Sequence, residues 1–192
     1  EAEVYVWDPE GPAVGADYAI VWQPPEALFE RETHLKAVFN LGAGIDGLLK
    51  VANLPEALTV VRLEDAGMSV QMAEYVLHQL LEASRGMETY REQQRQSLWK
   101  IHRPIKRSEW PVGVMGLGHI GKRVARTLAN LDYQVSGWAR GEHSLEGVNT
   151  FAGPDQLGDF LKATRVLVNT LPLTNETRDI INYELLSQLQ PG

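Results

Sequence analysis

The hexapeptide Gly116-Leu117-Gly118-His119-Ile120-Gly121 carries the residue types and spacing in this chain that point most directly to chemistry. A GxGxxG segment says little alone. Here an apolar run at 112–115 precedes it, a helical pattern from 119 to about 131 follows, and a second apolar run occupies 134–138. In that setting each glycine has a steric task. Gly116 permits a tight strand-to-helix turn, Gly118 lets a diphosphate approach the main chain, and Gly121 lets the helix pack closely on the strand. The amides that open the helix, with its dipole, favour an anion there. The reading is a dinucleotide site, set against a glycine-rich turn that binds nothing.

The end of the next strand bears on which dinucleotide. It reads Trp138-Ala139-Arg140. Where an acid would accept hydrogen bonds from the adenosine ribose of NAD, Ala139 stands instead, followed by a guanidinium. Removing the carboxylate removes repulsion against a 2′-phosphate, and Arg140 can pair with that phosphate through parallel hydrogen bonds. NADP(H) is therefore the preferred cofactor and NAD(H) the other possibility. The competing reading makes Arg140 a solvated loop residue, with Glu142 as a counter-sign.

These residues need a scaffold, and the chain supplies an alternating one. Short apolar runs occur at 4–7, 18–22, 37–41, 60–63, 112–115, 134–138 and 166–170. Several are nearly continuous, as strands of a parallel sheet covered on both faces are. Helical patterns separate them. Val70, Ala73, Val76, Leu77, Leu80 and Leu81 form one face over 69–85, with a possible extension past Gly86 toward Leu98. Ile120, Val124, Leu128 and Leu131 form another, and 155–162 and 182–189 are shorter candidates. This is an α/β class. Between Ile101 and Pro111 the periodicity lapses into His102, Arg103, Pro104, Lys106 and Arg107, which reads as a link between two lobes.

Composition narrows the function classes. The 192 residues carry a net charge of −7 and 44% hydrophobic residues, so the chain is globular and lacks the basic surface that duplex binding needs. It has no cysteine, hence no disulfide framework or thiolate metal site, and no metal is expected. A reducing, cytoplasmic location fits. No apolar run nears the roughly 20 residues of a membrane span. The acidic start at Glu1-Ala2-Glu3, without Met, and the abrupt Pro191-Gly192 end lead to the expectation that this is an excerpt of a longer protein.

Taken together, the glycine turn, Asn169-Thr170-Leu171-Pro172-Leu173-Thr174-Asn175-Glu176-Thr177 and Asn40-Leu41-Gly42-Ala43-Gly44-Ile45-Asp46 resemble the D-isomer-specific 2-hydroxyacid dehydrogenases. The stretch 62–68, the Trp-Ala-Arg strand end and Phe151-Ala152-Gly153 are similar to the subgroup that reduces glyoxylate and hydroxypyruvate. The resemblance implies a flavodoxin-like substrate-binding lobe over residues 1–104 and a Rossmann dinucleotide-binding lobe over 105–192, both partial. It implies a homodimer assembled through the helix near Ser69. It assigns substrate contact to Trp22 and to the loop Gly42, Ala43 and Gly44, whose amides would bind a carboxylate. It adds Leu117, His119, Ile120, Trp138, Leu171, Pro172 and Thr177 to the cofactor site. Without the resemblance, Trp22 reads as core, 42–44 as an ordinary turn, and Pro172 as a strand terminator.

The activity so implied is hydride transfer from NADPH to the carbonyl of a small 2-oxo acid, giving the D-2-hydroxy acid. The family's catalytic Arg, Glu and His find no match among residues 1–192 and are expected beyond Gly192, so the excerpt alone is expected to be inactive. Lys50–Val60 also looks short for the subgroup. Two other readings compete: a non-catalytic NAD(P)-binding module of corepressor type and, more distantly, a methyltransferase.

Overall fold

The computed structural model describes residues 3–103 and 105–191; Glu1, Ala2, Pro104 and Gly192, including the terminal residues and the loop proline used above, lie outside the described residues. The chain divides into two compact units, Glu1–Ala66 and Gly67–Gly192.

The first unit is a parallel three-stranded sheet in the order β1 (Tyr18–Val21), β2 (Ala37–Asn40), β3 (Thr59–Arg62), with α1 (Glu26–Arg31) between the first two strands. Val21, Val38, Leu28, Phe29 and Leu48 make its core. The strands were expected to be covered on both faces, and in this unit only one is. Ile20 pairs in register with Phe39, and Phe39 with Val61. All three are exposed, Ile20 to 73%. Successive strand residues point to opposite faces, so this row lies opposite the buried one. The apolar run at 4–7 is not a strand. Val4 and Val6 are almost fully exposed, and only Trp7 packs against the core.

A buried carboxylate pins the entry to this unit. Glu32 accepts hydrogen bonds from the backbone amides of Val14 (3.0 Å), Gly15 (2.9 Å) and Ala16 (3.4 Å). Burial alone would raise its pKa. The three amides bind the ionised form and bring the pKa below the ordinary glutamate value.

The second unit holds a four-stranded parallel sheet in the order β6 (Val148–Ala152), β5 (Val135–Ala139), β4 (Val112–Met115), β7 (Val166–Asn169). Its helices are α2 (Met68–Ser84), α3 (Met87–Arg95), α4 (His119–Ala129), α5 (Leu157–Lys162) and α6 (Tyr183–Leu186). The helix whose pattern allows an extension past residue 86 is broken there. Gly86 takes a left-handed conformation (φ 61°) and α3 starts anew. The strand β6 carries no continuous apolar run, and the sequence reading missed it. Asn182 caps α6, its side-chain oxygen accepting from the Leu185 amide at 2.9 Å.

On one side of this sheet, Ala73 and Leu80 of α2 share a core with Val124, Ala125 and Leu128 of α4 and with Val112 and Val114 of β4. Met115, Trp138, Phe160, Leu161 and Leu185 form a second core. Packing of α2 on α4 explains why the compact units part at Ala66, well before the composition shift at 101–111. That shift contains one 3-10 turn, Arg107–Glu109, and otherwise no regular structure among the described residues. No helix among the described residues is long and apolar enough to cross a membrane.

Candidate functional site

The glycine turn sits where the chain reverses its direction of growth across the sheet. β4 is followed by β5 and β6 on one side and by β7 on the other. In open parallel sheets the crevice outside the strand ends at such a switch point is where ligands bind. Residues 116–118 leave the end of β4 and enter α4 at its head.

The three glycines differ in what requires them. Gly116 has φ +99°, and a Cβ there would lie 3.0 Å from the Leu171 amide nitrogen. At Gly121 a Cβ would come within 1.8 Å of the Gly116 carbonyl oxygen, so helix and turn could not approach as they do. Gly118 is another case. Its φ of −74° suits any residue, and a Cβ there would meet nothing within 4 Å. Nothing among the described residues asks for glycine at 118, whereas a ligand laid on the main chain would. No side chain caps the start of α4. The cradle and the amide-rich helix start fit a diphosphate in both shape and charge sign.

Two residues that the sequence reading did not single out make contacts around this site. The Thr170 hydroxyl meets the Gly116 carbonyl at 2.7 Å and the Met115 carbonyl at 3.2 Å, tying the end of β7 to the turn. Glu176 forms an ion pair with Arg140, Nη1 to carboxylate oxygen 2.8 Å. Arg140 follows β5 directly, with its side chain 83% exposed. Ala139 beside it is buried.

Several assigned residues serve through their main chain or through packing. Leu117 is buried, its side chain against Gly137, so only its backbone can face a ligand. Trp138 is buried as well: its ring packs with Met115 and Phe160, and its indole N–H donates to the Gly153 carbonyl at 2.8 Å. It braces β5 from within the core. Ile120 and Leu171 are half-buried, while His119 and Pro172 are exposed. The Thr177 hydroxyl accepts from the Thr174 amide (2.8 Å) and donates to the Pro172 carbonyl (2.5 Å), which folds the loop after β7.

In the first unit the structure brings Trp22, Gly42, Ala43 and Gly44 together. A Cβ on Gly42 would fall 2.4 Å from the Trp22 ring, so the indole lies directly on the loop. Asn40, buried at the end of β2, donates from one amide nitrogen to the carbonyls of Gly42 (2.8 Å) and Gly44 (3.0 Å). A trans peptide sets its N–H opposite its C=O. Holding those two carbonyls inward therefore turns the Ala43 and Ile45 amides the other way, as an anion site needs. Sequence reasoning passed over Asn40. A polar residue ending an otherwise apolar strand was the available signal.

Residues 77–192 match the family model "D-isomer specific 2-hydroxyacid dehydrogenase, NAD binding domain". The chain belongs to this family. It is 44% identical over 181 residues to glyoxylate/hydroxypyruvate reductase A of Photorhabdus laumondii, covering 92% of this chain and 58% of that protein. Among solved structures it is similar to the NADPH-dependent glyoxylate/hydroxypyruvate reductase of Sinorhizobium meliloti in complex with NADP and sulfate. There the TM-score is 0.84 and the identity 37%, over 91% of this chain and 55% of that one. A D-isomer specific 2-hydroxyacid dehydrogenase of Xanthobacter autotrophicus Py2, in complex with NADPH and MES, gives a TM-score of 0.82 at 41% identity, over 96% and 57%. The chain thus spans less than two thirds of each of these relatives. The α/β dinucleotide-binding architecture expected from the sequence is that of the family.

Proposed function

We propose that the protein containing this chain reduces a small 2-oxo acid, glyoxylate or hydroxypyruvate, to the D-2-hydroxy acid with NADPH as reductant. The observation that carries the reading is Gly118: an exposed glycine at a helix head with no side-chain cap, required by nothing among the described residues, at the switch point of a parallel sheet. The relatives' names supply the substrate class and the NADP preference.

When bound, the dinucleotide supplies the hydride. The chain's own residues bind and orient. The amides at 118–120 take the diphosphate, and Arg140 takes the 2′-phosphate. The loop 171–177 flanks the adenosine side. In the substrate-binding lobe (1–104) the Ala43 and Ile45 amides hold the substrate carboxylate, with Trp22 as pocket wall. Fixing the carboxylate at one end limits how the carbonyl can present itself, which is how alignment lowers a barrier. The reading includes a cytoplasmic homodimer. Exposed Met68, Val70, Met72 and Tyr75 on α2 support a partner on that helix.

The test is NADPH oxidation by the full-length protein with glyoxylate, hydroxypyruvate and pyruvate. Turnover of at least one is expected. Tight NADPH binding without turnover of any 2-oxo acid would favour a cofactor-sensing module instead.

A further inference from the structure

We propose that Glu176 sets how strongly this protein discriminates NADPH from NADH, by holding Arg140 with a carboxylate that a 2′-phosphate must displace. The proposal rests on Arg140 being the phosphate-pairing residue, as read above.

The topology puts the pair in the right place. Arg140 follows β5 and Glu176 lies in the loop after β7, and these strands flank β4, which ends in the glycine turn. A 2.8 Å ion pair between them therefore joins the loops on either side of that turn. The loop is stiffened locally. The Thr174 amide binds the Thr177 hydroxyl at 2.8 Å and the Thr177 amide binds the Thr174 hydroxyl at 3.3 Å. Glu176 is held between these two anchors.

Charge and exposure decide what the pair does. The side chains are 83% and 71% exposed, so the pair is screened and weak. A phosphate brings up to two charges and three acceptor oxygens, and outcompetes one carboxylate for a guanidinium. Glu176 therefore attenuates NADPH binding without blocking it. A dinucleotide lacking the 2′-phosphate leaves the pair intact. The Glu176 carboxylate then stays on Arg140, the residue after the strand whose end carries the ribose-binding acid in an NAD enzyme. The same side chain weakens one cofactor and is neutral or helpful to the other.

The test is equilibrium binding of NADPH and of NADH to the full-length protein, followed by cofactor fluorescence, for the wild type, E176Q, R140A and the double variant. E176Q is expected to tighten NADPH by about two- to fivefold, the range of an exposed ion pair, and to leave NADH unchanged or weaker. In the R140A background that gain should vanish. An equal gain for both cofactors, no gain, or a gain that persists without Arg140 would overturn the proposal. Failures at the two levels separate cleanly. If R140A weakens NADPH selectively while E176Q is silent, only the role of Glu176 falls. If R140A weakens both cofactors equally, the phosphate reading falls and takes this proposal with it.

Discussion

The glycine-containing loops at 42–44 and 116–121 each follow a parallel strand, and they are built differently. The turn at 116–121 is crowded chiefly by main chain, with the Thr170 hydroxyl tying it down. A Cβ at 121 strikes a carbonyl oxygen, and one at 116 faces the backbone of residues 170–171. The loop at 42–44 is fixed by side chains, the Trp22 ring from one direction and the Asn40 amide from another. A backbone obstacle cannot be moved without moving a strand or a helix. A side-chain obstacle can change rotamer. The first loop should therefore be intolerant of change and the second adjustable.

The sharpest test of that contrast is Gly121→Ala. The methyl group has no room, and overpacking of this kind costs about 3 kcal/mol. A lower melting temperature together with lost NADPH binding is expected; a normal melt would break the comparison. Gly118→Ala is the control on the same turn. It should melt like the wild type yet bind NADPH at least about tenfold more weakly, because its methyl group meets ligand and not protein. Unchanged NADPH affinity would remove the basis of the dinucleotide site.

Next in size comes Asn40→Ala. It leaves two carbonyls without their donor, at about 1–3 kcal/mol. Steady-state kinetics should show KM for the 2-oxo acid raised about tenfold with the NADPH dissociation constant unchanged. A parallel loss of NADPH affinity would contradict the placement of Asn40. Gly42→Ala should be milder, about 1 kcal/mol, because the indole can shift. A loss as large as that at Gly121 would erase the distinction between the loops.

The smallest effect concerns pH. Side chains also hold the entry of the first unit, where Glu32 binds three amides as a carboxylate. Its pKa is lowered in the folded state, so it stabilises that unit at neutral pH. The contribution is lost as pH falls through that lowered pKa. Acidification should release the Val14 and Gly15 amides, seen as NMR shift changes, while the glycine turn is unaffected. Glu32→Gln should abolish that transition, and its persistence in the variant would assign it to another group.

Much of the second unit was legible before any coordinates. Residues 112–115 and 119–129 are where their apolar patterns set them, because continuous and 3.6-residue periods reflect burial on two faces and on one. The errors have local causes. Val4 to Trp7 looked like a strand because its residues are apolar, but a strand also needs a neighbour to pair with. β6 was missed because Val148–Ala152 mixes Asn and Thr with apolar residues.

By itself, then, the sequence determined the α/β class, the glycine turn with its helix, and the presence of a guanidinium where an acid was expected. These depend on residues near one another in the chain, where sterics and periodicity act directly. Only the tertiary structure decided that Thr170 ties down the turn, that Asn40 orients its loop, and that Glu176 already engages Arg140. The first and last of these join segments brought together by the order of strands in a sheet, and strand order is set by long-range packing that no local pattern encodes.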